Sequence, residues 1–323
     1  MGLWALQSTS ATSYKEGFGL RTARQWASYL FTRCGILFMR LLATLPLPLI
    51  RWMGTALGGV LYLAVAKRRH IVQTNLALCF PEKTAQQRSA LTRQTFIYFA
   101  QAWLDRAWLW HAPHSWVKRR VTLTGAVHEL EGNDATVIFL PHFYGLDAAW
   151  AGVAMHSPRM STTIYTDQSN KLVDRWILRG RRRFGNLRLF GRVEGVKPIV
   201  TALRSGQPLY LLPDMDFGPQ ESVFVPFYGV NAATVPSLAR FARLGKAKVV
   251  PLVPRITANG YEVEVFAAWS DVPSSDPVLD TTRMNERLQS YIATMPAQYY
   301  WVHKRFKTRP QGEADLYDGA KTV

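Results

Sequence analysis

From residue 121 onward, short apolar runs alternate with stretches of helical spacing. VIFLP (137–141), STTIYT (161–166), LYLLP (209–213) and VVPLVP (249–254) read as largely buried strands. YEVEVF (261–266) alternates apolar with acidic positions, the pattern of an edge or half-exposed strand. Between and after them, the spacing predicts helices over 144–156, 171–184, 196–205, 235–245 and 281–295. Strand and helix in alternation imply an α/β core, a mixed sheet flanked by helices. Upstream, residues 84–110 carry apolar positions at helical spacing behind Thr84, which reads as the cap, and Thr234 reads as the cap of the helix after it.

The stretch from Trp26 to Ala66 is strongly apolar but is interrupted by Arg33, Arg40 and Arg51. No segment of it reaches the roughly 18–20 charge-free residues of a clean spanning helix. Its longest uncharged run, Trp52 to Ala66, meets Lys67, Arg68, Arg69 and His70 at once. That fits a short membrane anchor or hairpin with a basic cytoplasmic border; the alternative is a buried soluble helix pair. Residues 1–25 lack the basic start, apolar core and small-residue cleavage site of a signal peptide. The expected organisation is an N-terminal extension (1–25), a membrane-associated helical region (26–70), an α/β domain (71–312) and a tail (313–323). No fixed-period repeat interrupts it.

Charge sharpens the picture. The 323 residues hold 39 Lys and Arg against 22 Asp and Glu, a net of +17, although charged residues are only 19% of the chain. A chain poor in charge yet strongly positive suits an anionic surface, and a freely soluble acid-rich enzyme is excluded. Nucleic acid would call for interleaved exposed aromatics or a recognisable module, and neither is present. Two cysteines, Cys34 and Cys79, cannot build a disulfide framework, which points the catalytic face to a reducing compartment. No Cys/His set has zinc spacing, and His111 and His114, split by Pro113, have no third ligand nearby.

Four blocks carry candidate chemistry. In VIFLPHFYGLDAAWAG (137–152) a buried strand ends at Pro141, His142 follows, and Asp147 comes five residues later. On one continuous helix the two side chains would sit about 140° apart. They meet only if His142 lies on the strand-to-helix loop and Asp147 on the first helical turn. A carboxylate on one imidazole nitrogen fixes the tautomer and frees the other to take a proton. Against this stands a purely structural His142. The second block, residues 171–197, holds nine Lys or Arg against Asp174 and Glu194. Arg181, Arg182 and Arg183, framed by Gly180 and Gly185, suggest a turn presenting guanidinium groups to phosphate or an oxyanion; a solvated helix face is the alternative. In LLPDMDFGPQESVFVPFYGVNAAT (211–234), Asp214 and Asp216 end a strand; with no further oxygen ligands clustered nearby, structural bonding to loop amides or to the Arg-rich segment is preferred to a metal site. The aromatic stretch Phe224 to Tyr228 reads as core or as lining for an acyl chain. In QYYWVHKRFKTRP (298–310), Lys304, Arg305, Lys307 and Arg309 lie among aromatics, as an interfacial anchor or anionic-headgroup contact would.

Taken in order, KRRHIVQTNLALCFPE (67–82), PHFYGLD (141–147), GRRRFG (180–185), DMDFGPQESVFVPFYGVNAAT (214–234) and WVHKRFKTRPQG (301–312) resemble the late acyltransferases of lipid A biosynthesis, the lauroyl/myristoyl family. The resemblance implies a glycerolipid-acyltransferase-like α/β core, with His142 as general base and Asp147 as its orienting carboxylate. It makes Arg181 and Arg183 ligands for phosphate or oxyanion, with Arg182 beside them. Asp214, Asp216, Lys304 and Arg305 fall in substrate-binding elements. It further implies transfer of a fatty acyl group from an acyl carrier protein thioester to a hydroxyl of a hydroxyacyl chain on a phosphorylated glycolipid acceptor. The setting would be the inner-membrane bilayer with the catalytic domain on the cytoplasmic side, with no metal, no cofactor and no nucleic acid. The competing expectations are an acyltransferase for a lysophospholipid or mannosylated lipid, and a non-enzymatic basic membrane adaptor.

Overall fold

The computed structural model describes residues 23–191 and 194–318. Most of the 1–25 extension, the end of the tail, and Arg192 of the arginine-rich segment lie outside the described residues.

Seven strands form one sheet: β1 (Val121–Gly125), β2 (Thr136–Phe139), β3 (Ser161–Tyr165), β4 (Leu187–Gly191), β5 (Leu209–Leu211), β8 (Lys248–Thr257) and β9 (Gly260–Val265). Their order is β1-β9-β8-β2-β5-β3-β4. Only β8 and β9 run antiparallel; every other neighbouring pair is parallel. A separate antiparallel hairpin, β6 (Val223–Phe227) and β7 (Val230–Thr234), stands off the sheet. The mixed α/β architecture expected from the hydrophobic pattern is therefore what the chain forms. Of the two readings of β9, the half-exposed one holds: β1 pairs with Tyr261 to Val265, so β9 is not an edge, and Glu262 and Glu264 stay half-buried on one face. β1, β4 and the hairpin went unread, since each is five residues long and carries charged, small or turn-forming positions that blur alternation.

Helices cover both faces, and the period of two along the central strands feeds two cores. Val137, Phe139, Leu209 and Leu211 point to one, beneath α3 (Ala66–Cys79), α8 (Val196–Arg204), α9 (Ser237–Gly245) and α10 (Pro277–Thr294). Ile138, Tyr210 and Val250 point to the other, beneath α4 (Ala85–His111) and α6 (Leu146–His156). Each fully buried Leu, Ile or Phe contributes about 1.5–3 kcal/mol. Thr84 caps α4 as expected: its hydroxyl accepts from the Gln87 amide while the Gln87 side chain accepts from the Thr84 amide. Thr234 does not cap α9. It ends β7, and its hydroxyl accepts from Arg305 and donates to the Ala232 carbonyl.

The N-terminal apolar stretch becomes α1 (Ala23–Leu42) and α2 (Leu47–Ala64), and α2 packs along α4. Gly58 makes this approach possible, because a Cβ there would lie 2.5 Å from the Ile97 Cα. Arg51 turns inward from α2 to Asp105 at 2.9 Å, so this interruption of the apolar run is an ion pair with the domain. Burial disfavours the Asp105 carboxylate and raises its pKa, against the opposing charge of Arg51. The outward faces stay apolar: Phe31 is 82%, Trp52 67% and Leu63 72% exposed. Among the described residues α2 is the one helix long and apolar enough to cross a membrane.

Candidate active site

The site is built where β2 and β5 end. These neighbours are parallel and in register, Val137 opposite Leu209 and Phe139 opposite Leu211. Three residues beyond each paired end stand His142 and Asp214. Both sit at the carboxyl ends of strands in an open sheet, where such folds place their chemistry.

Asp214 grips His142 twice. The His142 backbone N–H donates to Oδ2 and the ring Nδ1 lies against Oδ1, both at 2.8 Å. Tyr299 donates its hydroxyl to the same Oδ2 at 3.1 Å. The carboxylate is wholly buried. Burial alone would raise its pKa, but the charge and hydrogen bonds of His142 prevail and hold it below the usual carboxylate range. With Nδ1 committed, Nε2 is the nitrogen left for a substrate, and His142 lines a large cavity.

The loop bearing His142 is fixed from the far end of the chain. Tyr144 N–H donates to the Gln298 carbonyl and Tyr300 N–H to the His142 carbonyl, closing a bridge between Phe143 and Tyr299. The YYW segment is thus a backing strand for the histidine loop.

Asp147 has other partners. It sits on the first turn of α6, as expected, yet its Oδ1 accepts from Arg181 Nε at 2.9 Å and its Oδ2 from Arg106 Nε at 2.8 Å. Burial opposes ionisation, but the charges of Arg181 and Arg106 overcome it and take the pKa to about 2. The expected His142–Asp147 hydrogen bond is therefore replaced by His142–Asp214. The physical reason is competition: two fixed guanidiniums claim the oxygens of Asp147, and a strand end brings Asp214 closer to the ring.

The three arginines part company. Arg181, at the end of α7 (Lys171–Arg181), lines the cavity. Arg182 caps that helix and points into solvent. Arg183 turns away to the carbonyls of Leu109 and Ala112 at the end of α4, completing that helix's terminus rather than a site. Asp216 accepts from Gly218 N–H and from the Thr308 amide and hydroxyl, tying two loops together. Arg305 is buried, donating to the Ala233 carbonyl and Thr234, and Lys304 lies over the Tyr317 ring. The basic block near residue 300 is thus bound inward at these two positions, against the expected headgroup contact.

The cavity has a volume of about 890 Å³. Its walls include Phe99, Trp103, Leu140, Ile177, Leu211 and Phe241, set among polar side chains that include His142, Arg106, Arg181, Arg240 and Glu221. That is the size and lining of a site for a ligand with both an apolar part and polar or charged groups. Arg106 was missed by sequence reasoning; an arginine inside a long amphipathic helix carries no local mark of its partner. Among the described residues no group of three or more His, Cys, Asp and Glu side chains is placed to hold a metal ion.

Comparison with known proteins adds to this geometry. The family model described as bacterial lipid A biosynthesis acyltransferase matches residues 19–308. A lipid A biosynthesis acyltransferase of Haemophilus influenzae is 34% identical, covering 97% of this chain and 98% of its own. The lipid A biosynthesis lauroyltransferase of Escherichia coli is 30% identical over 92% and 97% of the two chains. The Escherichia coli lipid A biosynthesis myristoyltransferase is 33% identical over 78% of each.

Proposed function

The chain belongs to the bacterial lipid A biosynthesis acyltransferases, and on that premise we propose that it moves a lauroyl- or myristoyl-class acyl group from an acyl carrier protein thioester to a hydroxyl of a hydroxyacyl chain on a phosphorylated lipid A precursor. The observation that carries this reading is an imidazole clamped by a buried carboxylate in the wall of a mainly apolar cavity that also presents guanidinium groups.

His142 keeps its proton on Nδ1, donated to Asp214, and Nε2 removes the proton of the acceptor hydroxyl. The oxygen attacks the thioester carbonyl, forming the C–O bond and a tetrahedral oxyanion. Collapse breaks the C–S bond, and the departing thiolate takes the proton back from His142, leaving an ester and a free thiol. Asp214, not Asp147, orients the base. Positive charge from Arg181 attracts the anionic groups of the substrates, and the apolar walls hold the acyl chain.

The apolar outer faces of α1 and α2 would rest in the inner-membrane bilayer. Because the donor is a cytosolic thioester, the catalytic domain would face the cytoplasm. The net charge of +17 favours an anionic bilayer, a phosphorylated acceptor and an acidic carrier alike.

Purified protein given acyl carrier thioester with either a phosphorylated tetra-acyl disaccharide or a lysophospholipid tests the proposal. Ester formation on the disaccharide is expected. Product from the lysophospholipid alone would reject it.

A further inference from the structure

We propose that Arg106 and Arg181, bridged by Asp147, form a phosphate-binding subsite in the wall of the cavity that His142 lines; the inference rests on the acyltransferase reading above. A single carboxylate needs one cation to balance it. Asp147 has two, each donating Nε to a different oxygen, so the trio presents a net positive charge on the cavity wall. Bringing two guanidiniums onto one small group costs repulsion that a merely structural pair avoids, and an anionic ligand offsets it.

The pair is also rigid. The Arg106 guanidinium carbon lies 4.4 Å from the Trp103 ring centre and 5.5 Å from that of Trp110, so the side chain is stacked as well as bonded. Its Nη1 is buried and has no hydrogen-bond partner, a donor left unsatisfied beside the cavity. Arg181 is held through Nε, and its helix end is secured where Trp150 Nε1 donates to the Arg181 carbonyl at 3.0 Å. Both side chains remain about one-fifth exposed, 21% for Arg106 and 23% for Arg181, and both line the cavity. Planar donors fixed before binding suit a tetrahedral oxyanion with several acceptors. With Asp147 ionised down to pH about 2, the arrangement persists at every working pH.

Two parts of the reaction carry phosphate: the acceptor's sugar phosphates and the phosphodiester of the carrier's prosthetic arm. Steady-state kinetics of wild type, Arg106→Lys and Arg106→Gln separate them. The acceptor is supplied with and without its phosphates, and the donor as carrier thioester or as a phosphate-free pantetheine thioester. Loss of a charge-assisted contact should raise KM about ten- to hundredfold for whichever substrate uses the subsite, with kcat within a few-fold. A rise confined to the phosphorylated acceptor assigns it to the acceptor; one confined to the carrier thioester assigns it to the donor arm. KM unchanged within threefold throughout, or raised equally with and without phosphate, overturns the subsite. Arg106→Lys keeps the charge beside Asp147, so the fold survives while the planar fork is lost, and the reading holds if the Gln variant is unstable. Wild type that acylates no tetra-acyl disaccharide refutes the underlying acyltransferase reading instead.

Discussion

His142 and Asp214 lie 72 residues apart in the chain and are joined at two points, backbone and ring, each at 2.8 Å. The backbone bond sets where the loop stands and the ring bond sets how the imidazole turns. Asp214→Asn keeps an acceptor for the amide but not the charge that favours an imidazolium. Activity should fall about 10²–10⁴-fold, as for His142→Ala, and the double variant should be little worse than either. Asp147→Asn should behave differently. It leaves two partly buried guanidiniums without their counter-charge, so it should cost about 1–3 kcal/mol of stability while leaving the shape of the pH–rate profile intact. Thermal melts and pH–rate profiles of the two variants decide this, and matching profiles with matching losses would return Asp147 to the base.

Tyr299→Phe removes one hydrogen bond from Asp214 without opening a cavity. A loss of roughly 1 kcal/mol, or about fivefold in kcat, is expected, with KM for both substrates unchanged. A fall in melting temperature with kcat unchanged would make Tyr299 a packing residue only.

Gly180→Ala should be costly despite its small size. A Cβ at Gly180 would lie 2.2 Å from the Trp110 ring, so α7 must move away from α4. Overpacking of this kind costs about 1–3 kcal/mol. The neighbouring Arg181 would move with the helix, so KM should rise together with the drop in stability; a fully active, fully stable variant would contradict the packing.

His303 makes stability depend on pH. Burial first, then the charges of Arg305 and His142, hold its pKa at about 4, against the pull of Asp216 and Asp214. Its Nε2 accepts from the Asp216 amide, a bond that needs the neutral ring. His111, half-buried, is likewise held at about 4, by loss of water first and then by the charges of Arg40 and Arg183. Between pH about 6.5 and 4 the unfolded chain therefore binds protons that the fold refuses, and stability falls as pH falls. Melting temperature should drop from pH 7 to pH 5, and less steeply in His303→Gln, which keeps an acceptor. Equal slopes would remove His303 from that role.

Much of the architecture could be read from local pattern. The buried runs at 137–141, 209–213 and 249–254 became β2, β5 and β8, and Thr84 announced α4 through its capping box. His142 was legible because a buried run ending in proline and followed by histidine leaves few other places for the ring. Its partner was not. Asp214 is opposite His142 only because β2 and β5 are neighbours, and sheet order depends on how whole layers pack. Asp147 was the carboxylate within sight, and nothing near it in the chain showed that Arg106, 41 residues upstream, would claim it. The same limit applies to Arg183 and Arg305, whose acceptors are carbonyls on distant elements.

The bridge from Phe143 to Tyr299 ties the histidine loop to a segment 156 residues further along the chain. A ribosome must therefore have translated past residue 299 before the imidazole can be locked in its working pose. Products truncated by a stop codon ahead of residue 298 would carry His142 and Asp214 but neither the Tyr299 hydroxyl nor the bridge, and should stay inert.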